Sequence, residues 1–488
     1  MNGTMKTTGG DMRYCKRRTL GLMAGAAGLA VLLAACSSNS SSSTTTTTSA
    51  GSPTTAATTT SSGGGVSVAA GQPVIVGSIA TLTGAIASNF NGTPAGMEGY
   101  FDYINAKGGV DGHKFLLKYN LDDGSDPATF TQLSHTLIEQ DHVFAVLASS
   151  FFFSPNFFVS TDTPTFGYNV SGNWAGPDNL FAAGGSTQNY NAGGPAVAYA
   201  IKHTDSKRVA VISYGSAITS SYDACNADAT DLSNAGIDVV YTDLDAGLGG
   251  SYTSAVQRMQ ADNVDFVLSC MQASDSITMA REMQQYGLTK VHQLWFDGYD
   301  YSLLKQYNSI MQGVYLNANG SVPFDAVSAY PGHYPGEVNF QSIMKKYEPS
   351  FEYSQEALQG WQSAALLVAG VKAAGSDVTQ ANVIADINKV TDDTGGGVAD
   401  VTNWTTGHNE SETVYPLCSA FVQVKGNTFV PALNPAPGVF DCFGPGKPVS
   451  GGVPSPLVPG SGTPSDIASR VNLKDPVLVA PPAGTPGT

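Results

Sequence analysis

The chain reads as an α/β protein made of two doubly wound parallel-sheet lobes, and three observations carry that reading. Short apolar runs alternate with segments of helical period, the pattern of parallel strands covered by helices. The alternation comes in two series, one opening near Val74 and the other near Val209. The body between them and its continuation, about 73 to 443, is too long for one hydrophobic core and points to two domains.

The first series opens on Val74-Ile75-Val76-Gly77, a buried-strand pattern, followed by the hydroxyl-rich turn Ala80-Thr81-Leu82-Thr83-Gly84. Met97, Tyr100, Phe101 and Ile104 then fall at i, i+3, i+4 and i+7 and predict a helix. Lys107-Gly108-Gly109 ends it, a cationic last turn with glycine in the capping position. Phe115-Leu116-Leu117-Lys118-Tyr119 reads as the next strand, and Asp122-Asp123-Gly124-Ser125-Asp126-Pro127 as a turn. Phe130, Leu133, Leu137 and Ile138 mark a helix leading into the strand Phe144-Ala145-Val146-Leu147. Thr165-Phe166-Gly167-Tyr168 and a helix around Ala196 to Lys202 continue the alternation. The second series holds the strands Val209-Ala210-Val211-Ile212-Ser213, Val239-Val240-Tyr241, Phe266-Val267-Leu268-Ser269 and Gln293-Leu294-Trp295-Phe296. Ligands of such sheets bind beyond the carboxyl ends of the strands, so the turns after strands are the places to look.

Within this frame, Ile104-Asn105-Ala106-Lys107-Gly108-Gly109-Val110-Asp111-Gly112-His113-Lys114 resembles a signature of type I periplasmic binding proteins of the leucine/isoleucine/valine-binding type. The Leu82-Thr83-Gly84 turn, the Asp122-Asp123 and Asp126-Pro127 turn, and Gln359-Gly360-Trp361-Gln362-Ser363-Ala364 on a late helix are similar to that family too. The matches occur in family order over roughly 73 to 430. The resemblance implies a two-lobed extracytoplasmic receptor that closes on a small solute and hands it to an ABC permease. It places 73–190 and 315–405 in lobe 1 and 191–314 and 406–443 in lobe 2, with three crossovers as the hinge. In the acidic turn, Asp126-Pro127 fits a helix cap with proline at the first helical position better than a calcium loop, whose alternating oxygens are missing.

A solute receptor needs convergent polar groups in an otherwise apolar cleft. Ser149 and Ser150 follow a strand and match the family's serine-bearing ligand loop, where hydroxyls and backbone N–H groups grip a carboxylate or another acceptor. Phe151 and Phe90 are expected to form an apolar wall, and Tyr168 and Asn169 to add hydrogen bonds. In the second lobe Ile218, Thr219 and Ser220 occupy a turn where amino-acid-binding relatives carry a tyrosine, as does Gln272 at another position. Asp297 aligns with the acid that pairs with a ligand ammonium, since a buried ammonium needs a carboxylate to offset its desolvation. A helix-cap or hinge role is the alternative for Asp297. These departures open the ligand to an amide, a polyol, a small aromatic acid or an unusual amino acid.

The N-terminal region supplies an address. Lys16, Arg17 and Arg18 precede the uncharged apolar run Leu20 to Ala35, which has signal-peptide character. Leu33-Ala34-Ala35-Cys36 resembles the lipobox of bacterial lipoproteins, which implies removal of 1–35, acylation of Cys36 and display on the outer face of the cell membrane. Either Met1 or Met12 serves as start, and either the general or the twin-arginine route as export path. Residues 36–72, mostly Ser, Thr, Gly and Ala, read as a disordered tether reaching roughly 30 Å. From Gly444 to 488 the chain is rich in proline and glycine and reads as an extended tail, with Asp475-Pro476-Val477-Leu478-Val479 apolar enough to dock.

A formal charge of −16 argues against nucleic acid and anionic lipid as partners, leaving the lipid as the membrane contact. Once Cys15 leaves with the signal and Cys36 is acylated, Cys225, Cys270, Cys418 and Cys442 remain. An even number outside the cytoplasm favours disulfides, and proximity pairs Cys225 with Cys270 and Cys418 with Cys442. No metal site is expected, because their spacing is not that of ligands. No Gly-x-Ser-x-Gly, His-Glu-x-x-His or phosphate-cradling motif occurs, and His135 and His142 flank a helix end with no evident partner. The chain is therefore read as a monomeric, cofactor-free binding protein and not an enzyme. The alternatives are a ligand-sensing input module for a signalling partner and a hydrolase on the same scaffold.

Overall fold

The computed structural model describes residues 65–84, 86–186, 194–318, 320–408, 417–433, 438–443 and 483–486. The expected signal peptide, Cys36, the expected tether up to residue 64, and the expected tail except 483–486 lie outside the described residues.

Five strands, β1 (Val74–Ala80), β2 (Phe115–Asp122), β3 (Ala145–Ser149), β4 (Thr165–Gly167) and β5 (Leu180–Ala182), form a parallel sheet in the order β2-β1-β3-β4-β5. A second sheet repeats that winding with β6 (Arg208–Tyr214), β7 (Asp238–Ala246), β8 (Phe266–Ser269), β9 (His292–Trp295) and β10 (Tyr315–Asn317), ordered β7-β6-β8-β9-β10. β11 (Leu417–Ser419), β12 (Phe421–Lys425), β13 (Thr428–Ala432) and β14 (Asp441–Phe443) close the chain's strand order. β12 and β13 extend the second sheet antiparallel beyond β10, and β11 pairs with β14. Residues 315–317, expected in the first lobe, thus belong to the second sheet, and the return to the first lobe comes after Asn317. Strands of three residues, such as β5 and β10, escape a search for apolar runs because so little chain carries the pattern.

Helices cover both sheets. α1 (Thr93–Ala106) and α2 (Pro127–His135) belong to the first series, with the short α3 (Asn156–Ser160) after β3. α4 (Gly194–His203), α5 (Thr219–Asn234), α6 (Thr253–Ala261), α7 (Ala273–Gln285) and α8 (Tyr301–Met311) flank the second sheet. After the short α9 (Ala326–Ala329), α10 (Pro335–Tyr347), α11 (Gln355–Ala374) and α12 (Gln380–Ile387) lead back to the first lobe, where α10 and α11 pack on α1.

Local chemistry explains the boundaries. Asp126 accepts the Ala128 N–H at 3.1 Å with Pro127 in the first turn, so this acid caps α2. Ile104 carbonyl accepts from Lys107 and Gly109, and Gly108 and Gly109 take φ of 111° and 83°, the geometry that ends α1. α1 and α11 approach backbone to backbone: a Cβ at Gly96 would sit 1.9 Å from the Ala357 carbonyl oxygen, and one at Gly360 1.9 Å from that of Thr93. His135, for which the sequence showed no partner, stacks on Phe157 at 3.8 Å and lies 3.3 Å from Glu139. Cys225–Cys270 joins α5 to the chain just past β8, and Cys418–Cys442 joins β11 to β14.

Candidate functional site

Both sheets reverse winding direction between their first and third strands, and the turns past those carboxyl ends carry most of the expected residues. In the first lobe, Ser149 ends β3 fully buried, its hydroxyl 2.8 Å from that of Thr93 at the start of α1. Ser150 receives the Phe152 N–H at 3.0 Å and lies 3.2 Å from the Thr81 hydroxyl, which is itself 3.1 Å from Asp123. These hydroxyls knit β1, β3 and α1 together, and Ser150 Oγ accepts in both of its bonds, which leaves its O–H as a donor.

The structure brings Phe90, Phe151 and Tyr168 together. Phe90 meets Phe151 edge to face at 4.8 Å and Tyr168 at 5.9 Å, in a cluster with Ile86 and Val170. Asn169 donates to the Gly185 carbonyl at 2.8 Å, and its Oδ1 has no partner.

In the second lobe Gln272 stands at the N-cap of α7, 5% exposed. Its backbone N–H donates to the Tyr214 hydroxyl at 3.2 Å and its Nε2 to Asp275 at 3.1 Å, leaving Oε1 unpartnered. Tyr214 in turn donates to Asp275 at 2.5 Å, and Gly249 N–H donates to the same oxygen. Thr219, by contrast, is exposed at the first position of α5, and the structure does not bring it to the other expected residues. The side chain that bonds backbone there is Ser221, which accepts from Tyr214 N–H.

Asp297, just past β9, accepts the Ala273 N–H at 3.0 Å and the Gly298 N–H at 2.7 Å. It therefore tethers the start of α7, the structural role weighed for it. It also lies in a buried acidic group. Main-chain bonds from Tyr301 to Tyr353 and from Gln355 to Tyr299, with a bridge between Asp300 and Ser354, hold the start of α11 against the start of α8. That junction sets Glu356, 2% exposed, beside Asp297 and Asp300. Burial pushes Asp297 up to about 6 despite its two backbone donors. Glu356 is raised well above the usual carboxylate range, by burial first and then by Asp297 and Asp300. Tyr168, reached by Gln355 Nε2 at 3.2 Å, is likewise raised by burial and then by Asp297 and Glu356. A first-lobe phenol and a second-lobe carboxylate thus share one electrostatic neighbourhood, and the Ala87–Asn89 turn comes within 8 Å of α7 between Cα atoms.

Gln355 and Glu356 escaped sequence reasoning. An acid in the first turn of a helix reads as a favourable partner of the helix dipole, with nothing to signal burial. Further along α11, Gln362 and Ser363 line a small separate cavity with Phe181, Asp393, Asp400 and Trp404. Among the described residues no group of three or more His, Cys, Asp or Glu has a metal-holding arrangement.

A family model described as "periplasmic binding protein" matches residues 73–428. Solved structures share the fold at low identity. A branched-chain amino acid ABC transporter protein from Thermus thermophilus with bound valine is 17% identical, with TM-score 0.60, over 75% of this chain and 96% of that one. A leucine-binding protein from Thermotoga maritima is 16% identical, with TM-score 0.60, over 74% and 97%. A fatty acid ABC transporter substrate-binding protein from Thermomonospora curvata is 16% identical, with TM-score 0.59, over 74% and 91%. No curated protein matches the chain at the sequence level.

Proposed function

The chain belongs to the periplasmic binding protein family, and from that premise we propose that it is an extracytoplasmic receptor which closes its lobes on a small solute and delivers it to an ABC permease. Binding without a chemical step is the proposed activity. The observation that carries the reading is the meeting of Tyr168 and Asp297, one from each lobe, in one buried neighbourhood at facing strand ends. A solute seated there touches both lobes at once and favours the closed form by its differential affinity for it.

Phe90, Phe151 and Tyr168 would supply the apolar wall, and Asn169, Gln272 and Asp297 the polar contacts. Ser149 and Ser150 would shape the loop that presents Phe151. The solved neighbours named above include proteins described as binding valine, leucine and fatty acid, which fits a wall of this kind. A lipid on Cys36 and a Ser/Thr-rich tether would keep the receptor near its permease and raise their effective concentration. The receptor would act as a monomer.

Mass spectrometry of solute co-purified with the chain tests the reading. Re-adding that solute is expected to raise the melting temperature and reduce the radius of gyration in X-ray scattering. A solute that binds without changing the radius would refute closure. Metabolic labelling with a radioactive fatty acid should mark the wild-type chain and not a Cys36→Ser variant.

A further inference from the structure

Resting on the receptor reading above, we infer that the solute is an N–H-rich cation, an amine or a guanidinium on an apolar body, and not a zwitterion or a carboxylate. The unpartnered side-chain oxygens at the amide and acid positions are acceptors, while the Ser171 hydroxyl two residues past Asn169 is an orphan of either sense. Asn169 Oδ1, Gln272 Oε1 and Glu356 Oε2 are without hydrogen-bond partners, and all three are acceptors. The amide orientations are fixed by what the nitrogens touch. Gln272 Nε2 faces the Asp275 carboxylate and Asn169 Nδ2 faces the Gly185 carbonyl. Neither amide can be reversed without setting oxygen against oxygen, so each oxygen is the atom left over. Gln272 at 5% exposure and Glu356 at 2% are sealed from solvent that would otherwise serve them.

Charge points the same way. Asp297, Asp300 and Glu356 act on one another, Glu352 acts on Asp300, and the hydroxyl of Tyr168 lies in the field of Asp297 and Glu356. The strongest influences on these acids are burial, one another and hydrogen-bond donors, with no lysine or arginine among them. A single ammonium needs one carboxylate, whereas two adjacent buried acids with amide oxygens nearby match a head group that presents several N–H donors. A carboxylate on the ligand would instead add like charge beside these acids, with no lysine or arginine among their strongest influences to offset it.

The test holds the apolar body constant and varies the head. Isopentylguanidine, isopentylamine, leucine and 4-methylpentanoate share one branched tail and differ in charge and donors. Titration calorimetry on the full chain is expected to rank them guanidine and amine first, with leucine and 4-methylpentanoate at least tenfold weaker. Glu356→Gln is expected to weaken both cations at least tenfold, with the fold checked by thermal melting. Tightest binding of leucine or 4-methylpentanoate, accompanied by lobe closure in scattering, overturns the inference while leaving the receptor reading intact. Binding by none of the four also overturns it. If native purification then yields no solute either, the receptor reading falls separately.

Discussion

The buried acids of α5 offer the sharpest test of the physical reasoning. Asp228 and Asp231 are fully buried on a helix packed against β6, β7 and α4, and none of their four oxygens has a hydrogen-bond partner among the described residues. Burial pushes Asp231 from 3.8 up to about 8, and raises Asp228 by burial and by Asp231 beside it. A raised folded-state pKa means that the native chain keeps a proton the unfolded chain has released. Stability therefore falls as pH rises from the unfolded value to the folded one, and levels off above it. From 3.8 to pH 7 is about three units, each worth about 1.36 kcal/mol, so Asp231 alone destabilises neutral protein by at most about 4 kcal/mol relative to acid. At about 2–4 °C per kcal/mol for a lobe-sized unit, that corresponds to roughly 8–16 °C in melting temperature. Calorimetric melts at pH 5 and pH 8 should show the wild type more stable at pH 5. Asp231→Asn, which keeps the size and cannot ionise, should melt higher than wild type at pH 8 and shrink the difference between the two pH values. Equal wild-type melting temperatures at the two pH values, or an Asp231→Asn profile parallel to wild type, would refute the assignment of this carboxyl as a buried acid.

Other expectations follow from single contacts. Gly96→Ala places a Cβ 1.9 Å from the Ala357 carbonyl oxygen, so the melting temperature should drop by the equivalent of about 1–3 kcal/mol or more as α1 and α11 separate; an unchanged melt would show that the helices yield freely. Replacing Cys225 and Cys270 by serine opens a loop with a sequence separation of 45, and the loop-entropy relation gives a loss of about 4 kcal/mol, read in urea denaturation. Opening Cys418–Cys442, with a separation of 24, should cost about 3.4 kcal/mol by the same relation, so the two variants should rank in that order. Asp297→Asn keeps an oxygen for one of its two backbone N–H donors and removes the charge, so binding of a cationic solute should fall at least tenfold while the melt drops by the equivalent of about 1–3 kcal/mol. Undiminished affinity would remove Asp297 from the binding site.

How much of this was legible in the sequence depends on what each feature leaves in the chain. β1, β3, β6 and β8 announce themselves because parallel strands buried on both faces carry near-continuous apolar runs. The acid at Asp126 was readable because capping is local: donor and acceptor lie two residues apart. Phe90, Phe151 and Tyr168 could be proposed together only through the family likeness, since their contact spans 78 positions of chain. Glu356 left no trace at all. Its burial depends on the bonds between Tyr299, Tyr301 and the 353–355 segment, more than fifty residues away, and no local pattern encodes that. Thr219 is the converse case. It follows β6 as the strand pattern implies, but the helix starts there and leaves the side chain exposed.

The contrast between two groups of buried acids explains why one is read as a site and the other as a structural burden. Asp228 and Asp231 share the signature of Glu356: deep burial, orphaned oxygens and a raised pKa. What separates them is place. The α5 pair lies within one lobe, on a helix face against β6, β7 and α4, so a ligand reaching it would have to part that packing. Asp297 lies past β9 and Glu356 in the first turn of α11, where both lobes contribute, next to the aromatic cluster and to amide oxygens whose direction is fixed by their own nitrogens. Separation of the lobes would expose them without disturbing either core. A bound cation there would offset the desolvation of both carboxylates on closure, and its departure would restore a closed form strained by two buried acids without a counter-charge. On the cation reading, the same unfavourable charge that would weaken a core would become, at the junction, the means by which an empty receptor favours opening.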